Sequence, residues 1–364
     1  MSTVKKKKLK RYNYLTLHCT NTHDSLTKKG KKIVMPPFKL TKDLTEGDVL
    51  VYLRKIENIS ALYASKLFQE LGIYNLMNRA RTPEEIFHFN NYLHLEKEFS
   101  LIFHLLANKG FIHKQGEFYS VNQDRELVID RLENEIEKNE ELFKPLIDFF
   151  ERLIPKYKTI LKGEQGKLCL KEYSANLDSL IGTRLFVNIH QFCLERLILK
   201  TSLPDQISIL NWGVGSGYDA IVLANILQER ASIVSIEPTM ALDRCQVLQD
   251  LYQQYNIKFI AQESFRMEEH NKKFDLISGF GLLWLNDFNN KIQISKNLTH
   301  NDSLLLSIES TELHIGLGWI LSIFENFPFE ITQNNLRIKF RKQGFSLNSI
   351  LGLKEKLLLL EKDS

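Results

Sequence analysis

The 364-residue sequence predicts an α/β fold, a doubly wound parallel sheet behind a helical N-terminal part. One stretch predicts the sheet's first unit, Gln206 to Ala220, QISILNWGVGSGYDA. Ile207, Ile209 and Leu210 suit a buried strand; Gly213, Gly215 and Gly217 follow at every second position; Ala220, Val222, Leu223, Ile226 and Leu227 then recur at helical spacing. The rest of the second half alternates short apolar runs with helical patterns, as a parallel sheet requires. Residues 37–160 have mostly helical spacing, which predicts the helical part.

The glycines let the backbone turn tightly and let a ligand approach without meeting a Cβ. The helix start adds unbonded N–H groups. The spacing is GxGxG with Tyr218 next, not the GxGxxG of dinucleotide folds. It resembles the loop of class I S-adenosylmethionine (SAM) methyltransferases; by itself it also fits a turn that binds nothing. The next apolar strand, Ser232–Ile236, ends on Glu237, 20 residues beyond Gly217. That is the distance at which an acid reaches a ribose diol, whose two hydroxyls a carboxylate can accept.

The length gives room for two domains with a real core. Cys19, Cys169, Cys193 and Cys245 are far apart and form no CxxC pair, which fits a reducing compartment without a disulfide framework or a zinc site. The longest apolar run, Leu276–Leu285, is too short to span a bilayer, and no apolar segment follows the basic start. These features lead us to expect a soluble, cytoplasmic protein. The net charge of +4 hides an asymmetry: residues 1–32 carry ten Lys/Arg and one acid, a balance of +9, which leaves −5 on the remainder. Residues 1–36 therefore read as a basic arm. It suits either contact with an anionic surface or, since few apolar residues accompany the charge, a disordered solvated tail.

Residues 37–160 read as the helical domain. Asp48–Leu71 suits one or two amphipathic helices ending at Gly72. Thr82-Pro83-Glu84-Glu85 is a helix start, with Thr as cap, Pro in the first turn and Glu three residues on. A helix over Leu95–Asn108 follows, and then Phe111–His113 faces Glu117–Ser120 across a turn at Gly116. Helix, helix, hairpin is a winged-helix-like order. Its presumed recognition helix holds Glu96 and Glu98 against Lys97 and Lys109, a poor phosphate surface, so nucleic acid is not the expected partner. The module suits a homodimer contact or a lid. Residues 124–160 read as one charged amphipathic helix linking the domains. Strands are expected at Ile207–Leu210, Ile233–Ile236, Lys258–Ala261, Phe274–Ile277 and Leu304–Ile308, with helices at Ala241–Gln254, near Phe288–Leu298 and near Ile315–Phe324.

Over roughly 80–350, the succession NWGVGSG, IVSIEPT, KFIAQES, KFDLISGFGLLWL, LLLSIES and GLGWI resembles the C-methyltransferase domains of polyketide synthases, as does Ile160–Glu164 before it. The resemblance implies a Rossmann-like SAM-methyltransferase domain over 161–364, with SAM as cofactor. It implies contacts from Gly213, Gly215 and Gly217, the ribose on Glu237 and the adenine near Glu263. It also implies an acyl thioester substrate, free or on a carrier protein. In that family a His after the fourth strand, oriented by the Glu closing the fifth, removes a proton from a β-ketoacyl α-carbon; such a pairing fixes the tautomer and raises basicity.

Here Glu309 stands at the Glu, and Asn188 matches the family's Asn before the core. Trp284 stands at the His, Gly281 at its amide neighbour and Asn211 at the acid two places before the first glycine. His300-Asn301-Asp302 replaces the Gly-Gly turn before the fifth strand. His314, five residues beyond Glu309, is a candidate substitute base or else a surface residue. The expected catalytic residues are thus Glu309 and His314. Three readings follow: an active SAM-dependent methyltransferase, an inactive scaffold with the same fold, and a winged-helix DNA-binding regulator.

Overall fold

The structure, a computed structural model, describes residues 25–28, 31–34, 45–138, 140–169, 184–200, 203–213, 217–266, 273–280, 288–309, 311–325, 345–349 and 358–362. Its contacts separate two compact units, Met1–Lys39 and Leu40–Ser364. The helical and α/β parts, expected as domains divided near residue 160, thus form one unit. In the first unit β1 (Ser25–Lys28) pairs antiparallel with β2 (Lys31–Val34), so the arm expected to be disordered contains a hairpin. Lys29-Gly30 links strands that carry β-branched Thr27, Ile33 and Val34, a composition that suits a tight hairpin.

The second unit opens with α1 (Glu46–Glu70), capped reciprocally: the Thr45 hydroxyl accepts from the Asp48 N–H at 3.2 Å and Asp48 accepts from the Thr45 N–H at 2.9 Å. After α2 (Ile73–Leu76), the same device starts α3 (Pro83–Phe89) between Thr82 and Glu85. Then come α4 (Glu96–Lys109) and the hairpin β3 (Ile112–Gln115), β4 (Phe118–Val121). Phe68, Phe99 and Phe103 pack edge-on or tilted at the centre of this region, with ring centroids 4.8–5.6 Å apart. The helix expected over 124–160 is two: α5 (Arg125–Glu137) and α6 (Glu140–Leu161). They bury unequal faces. α5 buries Leu132 alone, whereas α6 buries Phe143, Leu146, Phe149, Phe150, Leu153 and more, so one straight helix would not seat both.

The α/β part begins with α7 (Arg184–Lys200) and β5 (Ile207–Trp212), and α7 packs on α8 (Tyr218–Leu227). It continues with β6 (Ala231–Glu237), α9 (Leu242–Leu251), β7 (Asn256–Ala261), β8 (Phe274–Phe280), α10 (Phe288–Asn297), β9 (Thr299–Glu309) and α11 (Thr311–Leu321). Two strands not anticipated from sequence, β10 (Phe345–Ser349) and β11 (Leu358–Lys362), complete a seven-stranded sheet in the order β10-β11-β9-β8-β5-β6-β7. The five strands β9-β8-β5-β6-β7 are parallel; β11 enters antiparallel to β9. The chain builds outward from β5 to β7, then returns to β8 on the other side. The switch point therefore lies between the carboxyl ends of β5 and β8, where such sheets bind ligands. Asn211 bonds to α8 and the next residue, Trp212, bonds to α10. Consecutive strand residues face opposite sides, so α8 and α10 cover opposite faces.

α11 is the joint between the two parts, for it packs against α1, α4 and α6. Gly316 lies so close to α1 that a Cβ would sit 3.5 Å from the Glu57 Cα. The Ser60 hydroxyl donates to the Gly316 carbonyl and accepts from the Trp319 indole N–H at 2.8 Å. Trp319 stacks on Phe150 at 5.9 Å and meets the edge of Tyr157 at 5.3 Å. Ser60→Ala leaves the buried indole N–H without its acceptor. It should lower stability by about 1–3 kcal/mol, read as a lower urea midpoint at unchanged slope. An unchanged midpoint would show that the indole finds another acceptor.

Candidate functional site

Every described residue of β5 except Ser208 is buried, which places the strand in the middle of the core. At its carboxyl end the Gly213 N–H donates to the Ile236 carbonyl at 2.9 Å and extends the pairing with β6 by one residue. The side chain of Glu237, the last residue of β6, folds over Gly213: a Cβ built on Gly213 would coincide with the Glu237 carboxylate. The first glycine and the acid 24 residues later thus form one feature. Gly217, at φ +69°, turns the chain into α8, and a Cβ there would sit 2.9 Å from Leu248 Cδ1 and 3.1 Å from Cys245 Sγ.

Beneath this lies a buried polar network. Ser235, Asn211 and Ser278 stand side by side, in register across β6, β5 and β8. Asn211 Nδ2 donates to Asp219 Oδ2 at 2.7 Å and to Ser235 Oγ at 2.9 Å, while Asn211 Oδ1 accepts from Ser278 Oγ at 2.7 Å. Ser235 Oγ then donates to Glu237 Oε1 at 2.8 Å. All five residues are at most 2% exposed. Asp219 Oδ1 is buried and has no hydrogen-bond partner among the described residues. The sequence reading missed Asp219, Ser235 and Ser278. A signal was present: small polar residues interrupt three apolar strands one or two places before each strand's end.

Burial pushes the Asp219 carboxyl from 3.8 up to about 6, against the pull of the Asn211 amide and the backbone N–H groups of Ala220 and Asp219. A carboxyl whose pKa is higher folded than unfolded favours the folded state at low pH and loses that advantage as pH rises from 3.8 to about 6. Asp219→Asn should therefore remove a fall in Tm across that interval. A variant that keeps the wild-type slope would assign the titration elsewhere.

On the opposite face the Trp212 indole donates to Ser295 Oγ at 2.9 Å, and the Lys291 ammonium lies 5.5 Å from its ring centroid, which ties α10 to the end of β5. Glu263 is exposed in the turn after β7, where its carboxylate accepts from the Thr239 hydroxyl two residues beyond Glu237. Backbone pairing places Glu309 at the carboxyl end of β9, just past the Phe280–Ile308 pair with β8, and His314 in the first turns of α11. The side chains of Glu309 and His314, together with Gly215, Gly281 and Trp284, lie outside the described residues. Gly213, Gly217 and Glu237 are thus brought to one place, and Glu309 to the same edge of the sheet. One group has metal-ligand spacing among the described residues, Glu84, His88 and Glu96. All three are exposed, with His88 Nε2 3.8 and 3.6 Å from the two carboxylates, the separations of loose surface ion pairs. Among the described residues, no helix is long and apolar enough to cross a membrane.

In solved structures the same architecture recurs in the CurJ carbon methyltransferase, at 12% identity over 88% of this chain and 94% of that one, with a TM-score of 0.60. The fold is that of the class I SAM-dependent methyltransferases. The DszA carbon methyltransferase is similar at 12% identity, 86% and 90% coverage and a TM-score of 0.56. The CMeT domain of the citrinin polyketide synthase is similar at 14% identity, 85% and 89% coverage and 0.56. Residues 181–257, from α7 to the start of β7, match the model of the protein-L-isoaspartate(D-aspartate) O-methyltransferase family. No curated protein matches in sequence. The part of this methyltransferase fold matched in sequence is thus the part that holds the glycine loop, Asp219 and Glu237.

Proposed function

We propose that the chain is a SAM-dependent methyltransferase acting on an activated carbon of an acyl thioester, free or borne on a carrier protein. The observation that carries the reading is the Glu237 carboxylate lying over Gly213, which follows β5 beside the switch point of the sheet. Only a glycine fits beneath that carboxylate, and an acid held there can accept both hydroxyls of a ribose. SAM would supply an electrophilic methyl on its sulfonium. Gly213, Gly215 and Gly217 would let its methionine end approach the backbone, Glu237 would take the ribose, and Glu263 would lie near the adenine. Glu309 would remove the proton from the carbon beside the acyl carbonyl, directly, through water or with His314. Leu283 and Trp284 would exclude water. The test is a calorimetric titration with SAM and with its demethylated product. Both should bind; absence of either signal in folded protein overturns the reading.

Trp284 at the position of the family's His favours a second reading, a scaffold that retains the fold without turnover. Binding without methyl transfer to any acyl thioester would select it. The DNA-binding reading has less support, because Lys109, one of few cations on α4, is held by Glu57 at 2.6 Å.

A further inference from the structure

We propose that Asn211, Ser235 and Asp219 are positioning residues that set the Glu237 carboxylate for a ribose diol; the inference rests on the SAM reading above. The order of donors carries it. Asn211 has two N–H groups on its amide, and both are engaged, one by Asp219 Oδ2 at 2.7 Å and one by Ser235 Oγ at 2.9 Å. A hydroxyl has a single proton. Because Ser235 accepts from Asn211, that proton is left for Glu237 Oε1, at 2.8 Å.

Were the amide reversed, Ser235 would donate to Asn211 and Glu237 Oε1 would lose this hydrogen bond. Asp219 prevents the reversal. Ionised, it is an acceptor only and calls for an N–H from Asn211 at 2.7 Å; the Ser278 hydroxyl, which can donate or accept, then donates to Asn211 Oδ1 at 2.7 Å. Donation therefore runs from Ser278 to Asn211, from Asn211 to Asp219 and Ser235, and from Ser235 to the carboxylate that covers Gly213. Strand register holds the hub in place, since Ser235, Asn211 and Ser278 are direct neighbours on three paired strands. A carboxylate oxygen has more than one acceptor site, so accepting the Ser235 hydroxyl is compatible with accepting a diol hydroxyl as well. Burial makes each link stronger and each broken link more costly than in water.

The experiment compares SAM, adenosine and 2′-deoxyadenosine by calorimetry on wild type, Ser235→Ala, Ser235→Thr and Asp219→Asn, with melting curves to verify folding. Adenosine has the diol without the methionine end, and 2′-deoxyadenosine lacks one hydroxyl of the pair. Ser235→Ala should weaken SAM and adenosine about tenfold, the size expected for loss of a hydrogen bond to a charged group, and weaken 2′-deoxyadenosine, which keeps one hydroxyl for Glu237, by less. Asp219→Asn should reduce the same adenosine-to-deoxyadenosine ratio, and it decides the matter if Ser235→Ala does not fold. Ser235→Thr, which keeps the hydroxyl, should keep the wild-type ratio. An equal loss for both nucleosides would mean a merely structural role and overturn the proposal, as would a Thr variant that behaves like Ala. Wild type that binds SAM, with variants that keep its ratio, overturns the positioning alone. Wild type that binds neither SAM nor adenosine overturns the SAM reading and this inference with it.

Discussion

Gly213→Val should abolish SAM binding, with a loss of at least about a hundredfold, while the sheet still folds. The Cβ of any residue at 213 would occupy the space of the Glu237 carboxylate. Glu237 must then swing away, or the end of β5 must separate from β6 and break the 2.9 Å bond from the Gly213 N–H to Ile236. Either movement removes the acid from the diol, and valine's methyl groups also block the approach of the ligand to the backbone. The measurement is calorimetry with the demethylated product, supported by a melting curve. A folded variant with unchanged affinity would remove Gly213 and Glu237 from the site. Gly217→Val is a useful contrast. There φ is +69° and Leu248 Cδ1 lies 2.9 Å from the added Cβ, so that variant should lose stability before it loses anything else.

The largest effect on turnover should come from Glu309→Gln, which we expect to lower methyl transfer by at least about a hundredfold and leave SAM affinity within about twofold. Glu309 ends β9 at the edge where the switch point opens, while the proposed cofactor contacts follow β5, end β6 and follow β7. The proposed base and the proposed cofactor contacts therefore belong to different strands, and a change at one need not disturb the other. A lone carboxylate is a weak base unless apolar surroundings raise its pKa, and Leu283 and Trp284 are the residues proposed for that wall. Trp284→His should create or raise C-methylation of a β-ketoacyl thioester, because it restores the pairing of an imidazole with Glu309. Product mass and position of the new methyl are the readouts. If neither substitution alters methyl transfer to any acyl thioester, carbon methylation is the wrong chemistry for this chain. SAM binding would stand unaffected by that result.

The sequence by itself determined the elements whose causes are local. Thr82 with Glu85 caps its helix through bonds three residues apart, as read from the sequence; Thr45 with Asp48 does the same for α1, a cap the reading from Asp48 did not mark. Gly213 and Gly217 mark the turn from β5 into α8, and Glu237 is visible as an acid closing the next apolar strand. The spacing of the apolar runs then implies the parallel sheet. Less local features were read less well. The helix over 124–160 is two, since which face each half buries depends on α1 and its neighbours. β10 and β11 were not anticipated, because β11 owes its place to pairing with β9 and β10, at the far edge of the sheet. Only the tertiary structure decided that α11 is seated on the N-terminal helices through Ser60, Gly316 and Trp319, residues more than 250 positions apart in sequence. It alone decided the network under the loop. Asn211, Ser235 and Ser278 lie in three separate strands, and strand register makes them neighbours. The physical reason is one of range. Capping and turn geometry are fixed by atoms a few residues apart, whereas the direction of a buried hydrogen bond is fixed by whichever donors and acceptors the fold brings to it.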